Sequence, residues 1–177
     1  GCSSLADISI PSSVTSIGNK AFYGCISLNK ISIPSSVTSI GNSSFYGCSS
    51  LKQILIPSSV NTIGNEAFKE CFSLNQISIP SSINSFGSNI FYGIKTLEIT
   101  GDLEIIPYEL FKGCSSLIQI SIPSSVTSFD DSAFEGCSSL TQISIPSSSL
   151  ISIGNYAFFE CLSLTQISIP SSVKNIG

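Results

Sequence analysis

Seven cysteines are the residues of this 177-residue chain that could perform the widest range of chemistry. Thiols could pair as disulfides, bind a metal or act as nucleophiles. The set is Cys2, Cys25, Cys48, Cys71, Cys114, Cys137 and Cys161. No C-x2-C pair of the kind that metal sites use occurs, and an odd number of cysteines cannot pair completely. We therefore expect reduced thiols buried as small apolar residues, with disulfides as the alternative.

The other residue types argue against catalysis. The chain has no histidine and its seven basic residues are all lysines, so a histidine base and an arginine anion clamp are both missing. Serine is abundant, but the serines follow a repeat and have no partner that would activate them. We predict that the protein is not an enzyme and has no catalytic, cofactor-binding or metal-binding residues.

Two polar groups leave other interpretations open. Asp130, Asp131 and Glu135 could bind Ca²⁺ weakly, although we favour a solvated turn that replaces Gly-Asn. Asn42 begins an Asn-Ser-Ser glycosylation sequon, which chance could also produce in a chain so rich in asparagine and serine. Neither group changes the prediction that the protein is non-catalytic.

Charge and hydropathy argue against two classes of partner. The net charge is −4, whereas nucleic-acid binding needs clustered cations that displace counterions from phosphates. No run of 18 apolar residues occurs in the chain, so we expect no direct insertion into a membrane.

A repeat of 23 residues, clearest from Leu28 to Ser50, organises the whole chain. Its first part reads Leu-x-x-Ile-x-Ile-Pro, and the two isoleucines point to the same buried side of a short strand because they are two residues apart. The following proline has no N–H and ends the strand. A repeat of this length containing Leu-x-x-Ile-x-Ile predicts a leucine-rich-repeat solenoid.

The second part of the repeat turns the chain across the far side of each coil. A glycine column there is predicted to need positive φ, and it contains Gly18, Gly41, Gly64 and Gly154. A phenylalanine precedes each cysteine from Cys25 onward by three residues. This spacing predicts one turn of α- or 3₁₀-helix with Phe and Cys on its inner side.

Two coils depart from the pattern. Near 94–114 the repeat is three residues shorter, Thr100 replaces the strand-ending proline and Pro107 stands in the glycine column. One extra residue lengthens the repeat near 147–151. We expect both changes to lie in loops or corners, with the strands kept in register. We predict one solenoid over 1–177, about 7.5 repeats long, which looks like a piece of a longer chain because it opens and stops inside a repeat.

The pattern L-x-x-I-x-I-P-x-x-V-x-x-I-G-x-x-A-F-x-x-C, as it reads from Leu28 to Cys48, resembles the BspA-like or Treponema pallidum-type leucine-rich repeat. The resemblance covers nearly the whole chain. It implies a curved solenoid with a parallel β-sheet on the concave face and short strands or turns on the convex side. The repeat sequence, which is rich in serine and asparagine, is similar to the expanded sets of repeats in protists such as Trichomonas and Entamoeba.

The same resemblance implies a location and a kind of partner. Family members are often secreted or cell-surface proteins, and some resemble adhesins that bind host matrix proteins. Intracellular members also exist, so a cytoplasmic location is the alternative.

The outward-facing residues of the concave strands are the best candidates for binding a protein ligand. They form a ladder of glutamine and serine that Lys30, Leu55 and Glu98 interrupt. The candidate residues are Asp7, Lys30, Gln53, Leu55, Gln76, Glu98, Gln119, Gln142 and Gln166. The ladder lacks the Trp, Tyr and Arg that interface hot spots favour, so a solvated sheet without a ligand is the alternative.

A second candidate surface lies on the convex edge. Tyr23, Tyr46 and Tyr92 each follow a phenylalanine of the repeat. Three tyrosines on one edge indicate a contact surface, and they are equally compatible with packing at the rim.

We therefore predict a non-catalytic protein-binding domain of a cell-surface adhesin or antigen that contacts host or matrix proteins. The alternative is an intracellular scaffold that delivers an effector domain absent from this chain. Both ends of the solenoid are expected to expose an unpaired strand edge, which predicts head-to-tail self-association.

Overall fold

The structure is a computed structural model that describes residues 1–146 and 149–177. Its chain winds into stacked coils, and most coils contribute one strand to a front face and one to a back face. Numbered along the chain, the front strands are β1 (Asp7–Ser9), β3 (Lys30–Ser32), β5 (Gln53–Leu55), β7 (Gln76–Ser78), β9 (Thr96–Thr100), β11 (Gln119–Ser121) and β13 (Gln142–Ser144). The back strands are β2 (Ser16–Ile17), β4 (Ser39–Ile40), β6 (Thr62–Ile63), β8 (Ser85–Phe86), β10 (Ile105–Ile106), β12 (Ser128–Phe129), β14 (Ser152–Ile153) and β15 (Asn175–Ile176).

All paired strands run parallel to each other, as a solenoid requires. The front face consists of the sheet β1-β3 and the sheet β5-β7-β9-β11-β13, and β3 lies beside β5. We call the two together the front sheet. The back face consists of the sheet β2-β4-β6-β8 and the sheet β10-β12-β14-β15. This architecture confirms the predicted leucine-rich-repeat solenoid.

The front strands follow the predicted alternation. Ile31 and Ile33 are buried. Lys30, directly before Ile31, and Ser32, between the two isoleucines, are exposed. Proline ends these strands because it cannot donate to the next strand. Where Thr100 replaces the proline, β9 is five residues long instead of three.

Consecutive turns, rather than a helix, follow each back strand. Tyr46 N–H donates to Ser43 O at 3.2 Å and Cys48 N–H donates to Phe45 O at 3.1 Å, and each bond closes one turn. Ser43 has a φ of 51° and Gly47 a φ of 69°, and such left-handed residues cannot continue a right-handed helix. Turns thus replace the predicted helical turn, and no helix occurs in the described residues. The inward packing predicted for Phe45 and Cys48 is confirmed.

Phenylalanine and cysteine columns form the centre of the core. Successive rings from Phe22 to Phe158 stack with centroids 5.2 to 6.2 Å apart. The Cys71 thiol donates to Phe45 O of an earlier coil at 3.1 Å. Burial raises the pKa of Cys48 to about 12, so this thiol stays neutral near physiological pH. All seven cysteines are free, and the five from Cys25 to Cys137 are buried, as predicted for small core residues. The prediction of burial is wrong for Cys2, which is exposed in the first coil, and Cys161 is only half-buried.

Glycine recurs in the glycine column of the repeat for a different reason from the one predicted. None of its members has positive φ, so that prediction is wrong for Gly18, Gly41, Gly64 and Gly154. A Cβ on Gly41 would lie 2.7 Å from the backbone nitrogen of Asn19 in the preceding coil, whereas a Cβ on Gly18 would meet nothing within 4 Å. Close approach of the stacked coils therefore requires glycine here.

Several consensus polar side chains hold adjacent coils together. Ser36 Oγ donates to Val14 O at 2.6 Å, and the same bond recurs in four further coils. Asn19 Oδ1 accepts from Asn42 N–H at 2.8 Å, and Asn42 repeats this bond with the next coil. These bonds satisfy backbone groups on the back of the solenoid. Much of the consensus therefore serves the fold, and function is better sought where the chain departs from it.

The shortened coil changes the register of the front sheet. β9 pairs with β11 as predicted, with Leu97 opposite Ile120, but it places Ile99 opposite Ile77 of β7. The prediction that the strands keep their register is therefore wrong here, because the three missing residues lie between Ile94 and Leu97, directly before β9. A slip of two residues still turns Leu97 and Ile99 toward the core.

The back strands beside this coil are separated. No Cα atom of β8 lies within 8 Å of a Cα atom of β10, whereas paired strands lie about 4.8 Å apart. At the preceding boundary Gly87 N–H donates to Ile63 O at 2.8 Å. Pro107, which occupies the glycine column in the next coil, has no N–H to donate to Phe86 O. We call the boundary between the coil of β7–β8 and the coil of β9–β10 the slipped boundary.

The C-terminal part holds two further departures. The extra residue predicted near 147–151 falls partly on residues 147 and 148, which lie outside the described residues. Residues 165–169 form no strand, so the predicted position of Gln166 on a front strand is wrong. Ile167 is only half-buried and Ile169 is 43% exposed, so less burial holds this segment than holds the inner front strands.

Candidate binding surfaces

The front sheet brings most of the predicted binding residues onto one surface. The exposed members of the set are Asp7, Lys30, Gln53, Leu55, Glu98, Gln119 and Gln142. Gln76 is half-buried, and Gln166 is exposed but lies on an irregular segment. The alternation along each strand places these side chains outward, as the sequence predicted.

The residues that interrupt the glutamine–serine ladder lie close together. Lys30, Leu55 and Gln76 line a cavity of about 310 Å³ on the front sheet. Gln76 Nε2 donates to Glu98 Oε2 at 3.0 Å, which attaches the glutamate to the same group. Leu55 lies on β5, between the strands of Lys30 and Gln76, and its side chain is 68% exposed. We call Lys30, Leu55, Gln76 and Glu98 the front patch.

The slip of β9 makes part of this patch. Glu98 lies opposite Gln76 and Thr100 opposite Ser78, whereas strands kept in the register of the repeat would place Thr96 opposite Gln76. The short spacing after Ile94 indicates a disturbed strand register but does not give the number of residues by which the strands shift. Only the structure gives the register of β9 relative to β7.

The front patch has the composition of a small recognition surface. Its four residues lie on four successive strands, so the patch is about 14 Å wide at the usual strand spacing. It combines one cation, one anion and one exposed leucine. An apolar centre with a polar rim is the usual anatomy of a protein interface. No other front-sheet position within the described residues adds a lysine or a second exposed leucine.

The other half of the front sheet is uniform. A shallow cavity of about 570 Å³ lies there, lined by glutamine, serine and threonine together with Ile143. Gln119, Gln142 and Gln166 contribute to it without a charge or an exposed apolar side chain among its lining residues. A solvated sheet remains the simpler interpretation of this half.

The predicted tyrosine edge is a packed network. The rings of Tyr23 and Tyr46 stack with centroids 4.8 Å apart. Lys69, which the sequence analysis did not single out, places its ammonium 5.6 Å from the Tyr46 ring and 5.3 Å from the Tyr92 ring. Tyr46 OH donates to Glu70 Oε1 at 2.8 Å, and this bond raises the pKa of Tyr46. Stacking thus joins Tyr23 to Tyr46, and Lys69 joins Tyr46 to Tyr92, so the three tyrosines pack together at the rim. That this edge binds a ligand stays a prediction.

The remaining polar candidates take part in the fold. Asp131 Oδ1 accepts from Asn155 N–H at 2.7 Å, which continues the asparagine bonds of the back face. Asn42 is exposed and accepts from Asn65 N–H at 2.9 Å. Ser44, the third residue of the sequon, is fully buried and its hydroxyl has no partner. Among the described residues, no group of three or more Cys, Asp or Glu side chains could hold a metal ion.

Three features define a leucine-rich-repeat protein: parallel stacked coils, inward-facing pairs of isoleucines, and serine and asparagine side chains that hydrogen-bond to the adjacent coil. A sequence profile described as "BspA type leucine rich repeat region (6 copies)" matches residues 1–98 and 93–177. The chain belongs to this family, which confirms the resemblance. The protist surface-antigen type stays a prediction. A search of curated proteins gives no match.

Solved structures of bacterial proteins are similar to the chain. A leucine-rich repeat protein from Bacteroides ovatus is 33% identical with a TM-score of 0.75, over 100% of this chain and 46% of that one. The T. pallidum leucine-rich repeat protein is 29% identical with a TM-score of 0.61, over 90% and 78%. One from Eubacterium ventriosum is 27% identical with a TM-score of 0.61, over 97% and 57%. The chain thus spans about half the length of the B. ovatus relative.

Among the residues that the structure describes, none belongs to a helix that could cross a membrane.

Proposed function

We propose that the protein is a non-catalytic recognition domain that binds a protein ligand through the front patch. One observation carries this proposal: of the departures from the front-face ladder, Lys30 and Leu55 line one cavity together with Gln76, and Glu98 accepts a hydrogen bond from that Gln76. Most of the repeated polar side chains on the back are already used to bond the coils. The front patch is free of such bonds to the neighbouring coils except for the Gln76–Glu98 pair.

The proposed setting is the surface of a cell, where the domain acts as an adhesin or antigen toward host or matrix proteins. The family resemblance supports this setting, and the near-neutral front face with one apolar anchor suits a protein ligand better than a polyanion.

The test is binding of the chain to immobilised fibronectin, laminin and collagen, and to intact epithelial cells, at physiological salt. A front variant carries Lys30→Gln, Leu55→Ser and Glu98→Gln, which restore the ladder consensus. A matched variant in the uniform half carries Gln119→Ala, Ser121→Ala and Gln142→Ala. We expect saturable binding that weakens at least tenfold in the front variant and less than twofold in the matched variant. Absence of binding to every surface, or equal binding by both variants, would contradict the proposal.

We also propose that the 177-residue chain associates head to tail. Ile169 and Ile176 are 43% and 62% exposed, and the strands of the terminal coils have an edge with no partner. Light scattering should give an apparent mass that rises with concentration, and Ile176→Lys should lower it. A constant monomer mass at high concentration would refute this association.

A further inference from the structure

The slipped boundary leaves backbone acceptors of β8 without partners. At the regular boundary before it, Asn61 O accepts from Asn84 N–H at 3.1 Å and Ile63 O accepts from Gly87 N–H at 2.8 Å. The equivalent acceptors one coil later are Asn84 O and Phe86 O. Neither receives a hydrogen bond from any residue that the structure describes. β8 therefore presents an open strand edge on the back of the solenoid.

The space beside this edge is wider than a normal strand spacing. The Cα atoms of β8 and β10 are more than 8 Å apart throughout. Two strands with a third strand between them are about 9.6 Å apart, twice the usual spacing. A separation of more than 8 Å excludes direct pairing of β8 with β10 and is compatible with a third strand between them. We call it the back-sheet gap, bounded by 81–86 and 103–107.

The lining of the gap indicates what kind of strand it suits. A cavity of about 220 Å³ lies there, with Ile83, Leu103 and Ile105 among its apolar walls. Glu104 and Asp130 also line it, both are exposed, and no lysine does. Apolar walls suit β-branched or aliphatic side chains. The two carboxylates suit lysine or arginine.

We propose that the back-sheet gap binds an extended peptide segment that alternates basic and β-branched residues and pairs with the edge of β8. Its backbone N–H groups donate to Asn84 O and Phe86 O, which supplies affinity without sequence preference. Its apolar side chains contact Ile105, which is 42% exposed, and its basic side chains face Glu104 and Asp130. Because side chains of a strand alternate in direction, this arrangement sets the sequence preference.

The test is selection of a random decapeptide library, displayed on phage, against the full 177-residue chain. We expect enriched peptides with Lys or Arg alternating with Val, Ile or Thr. One variant inserts Ser-Ser-Leu between Ile94 and Lys95 and adds Pro107→Gly, which restores the 23-residue spacing and the missing N–H donor. A second variant carries Glu104→Lys and Asp130→Lys at exposed positions and keeps the gap open. Glu160→Lys, a charge reversal at an exposed position of the last coil, is the control.

Binding of the enriched peptides should weaken at least tenfold in each of the first two variants and stay within twofold in the control. If the insertion variant fails to fold, the charge variant decides the result alone. A library with no basic enrichment would overturn the proposal. So would peptides whose binding survives Glu104→Lys with Asp130→Lys, or falls in the control, because the peptides would then occupy another surface.

Discussion

The boundary between the coils of β5–β6 and β7–β8 is regular, and the next one, the slipped boundary, is open on one side. At the regular boundary Glu66, Phe68 and Glu70 donate their N–H groups to the next coil, at 2.8, 3.2 and 2.8 Å. The equivalent donors one coil later are Asn89, Phe91 and Gly93. Within the described residues, none of these three reaches a carbonyl of the following coil.

The core nevertheless continues across the slipped boundary. The rings of Phe91 and Phe111 stack with centroids 5.3 Å apart, as in the regular coils. Ile79 N–H donates to Thr100 O at 2.9 Å on the front face. Loss of three residues thus opens the back and the turns but leaves the front sheet and the aromatic column joined. The front and back faces of a repeat array can therefore change independently of each other. Both proposed binding sites include residues at the slipped boundary, where the two faces differ.

The largest expected effect concerns the buried thiols of the regular boundaries. Burial raises the pKa of Cys48 from its ordinary value near 9 to about 12. Its contribution to stability is therefore complete below pH 9 and is lost as the pH rises toward 12, since the unfolded chain ionises first. That contribution amounts to about 4 kcal/mol at most. Urea unfolding under reducing conditions should show a steep loss of stability above pH 9.

The control for this prediction is Cys48→Ala, which removes one of the titrating thiols. Its pH profile should be flatter than that of the parent chain above pH 9. Identical profiles would show that Cys48 is not held as a neutral buried thiol.

A glycine pair tests how closely the regular coils approach. A Cβ on Gly87 would lie 2.6 Å from Asn65 Cα, whereas a Cβ on Gly18 would meet nothing within 4 Å. Gly87→Ala should cost about 3 kcal/mol because backbone atoms must move. Gly18→Ala should be neutral or stabilising by about 0.5 kcal/mol because it restricts the unfolded chain. Similar urea midpoints for the two variants would refute the close-approach explanation.

Restoring the repeat should remove the difference between the two boundaries. Insertion of Ser-Ser-Leu between Ile94 and Lys95, with Pro107→Gly, should stabilise the chain by about 2 kcal/mol. The gain comes from hydrogen bonds near 1 kcal/mol each, less the entropy of the added residues. Pro107→Gly alone is the control, since the slip remains in it, and it should give no gain. An insertion variant no more stable than this control would contradict the account.

The sequence predicted the coils, the inward columns and the outward ladder because each depends only on the period of the repeat. It could not predict what depends on contacts between coils. Glycine at position 41 is compatible with positive φ or with close approach, and only the position of Asn19 decides between them. Likewise Leu97 and Ile99 both suit an inward position, so sequence alone left open a slip of two residues. That slip pairs Glu98 with Gln76 and separates β8 from β10.

The most direct test of the central claim is amide hydrogen exchange resolved by residue, measured by NMR on the chain. The claim is that departures from the repeat open the back of the solenoid at the slipped boundary while the core continues. We predict that Asn89, Phe91 and Gly93 exchange at least a hundredfold faster than their regular counterparts Glu66, Phe68 and Glu70, which are hydrogen-bonded. Equal protection of the two sets would contradict the account, because it would mean that the slipped boundary is closed.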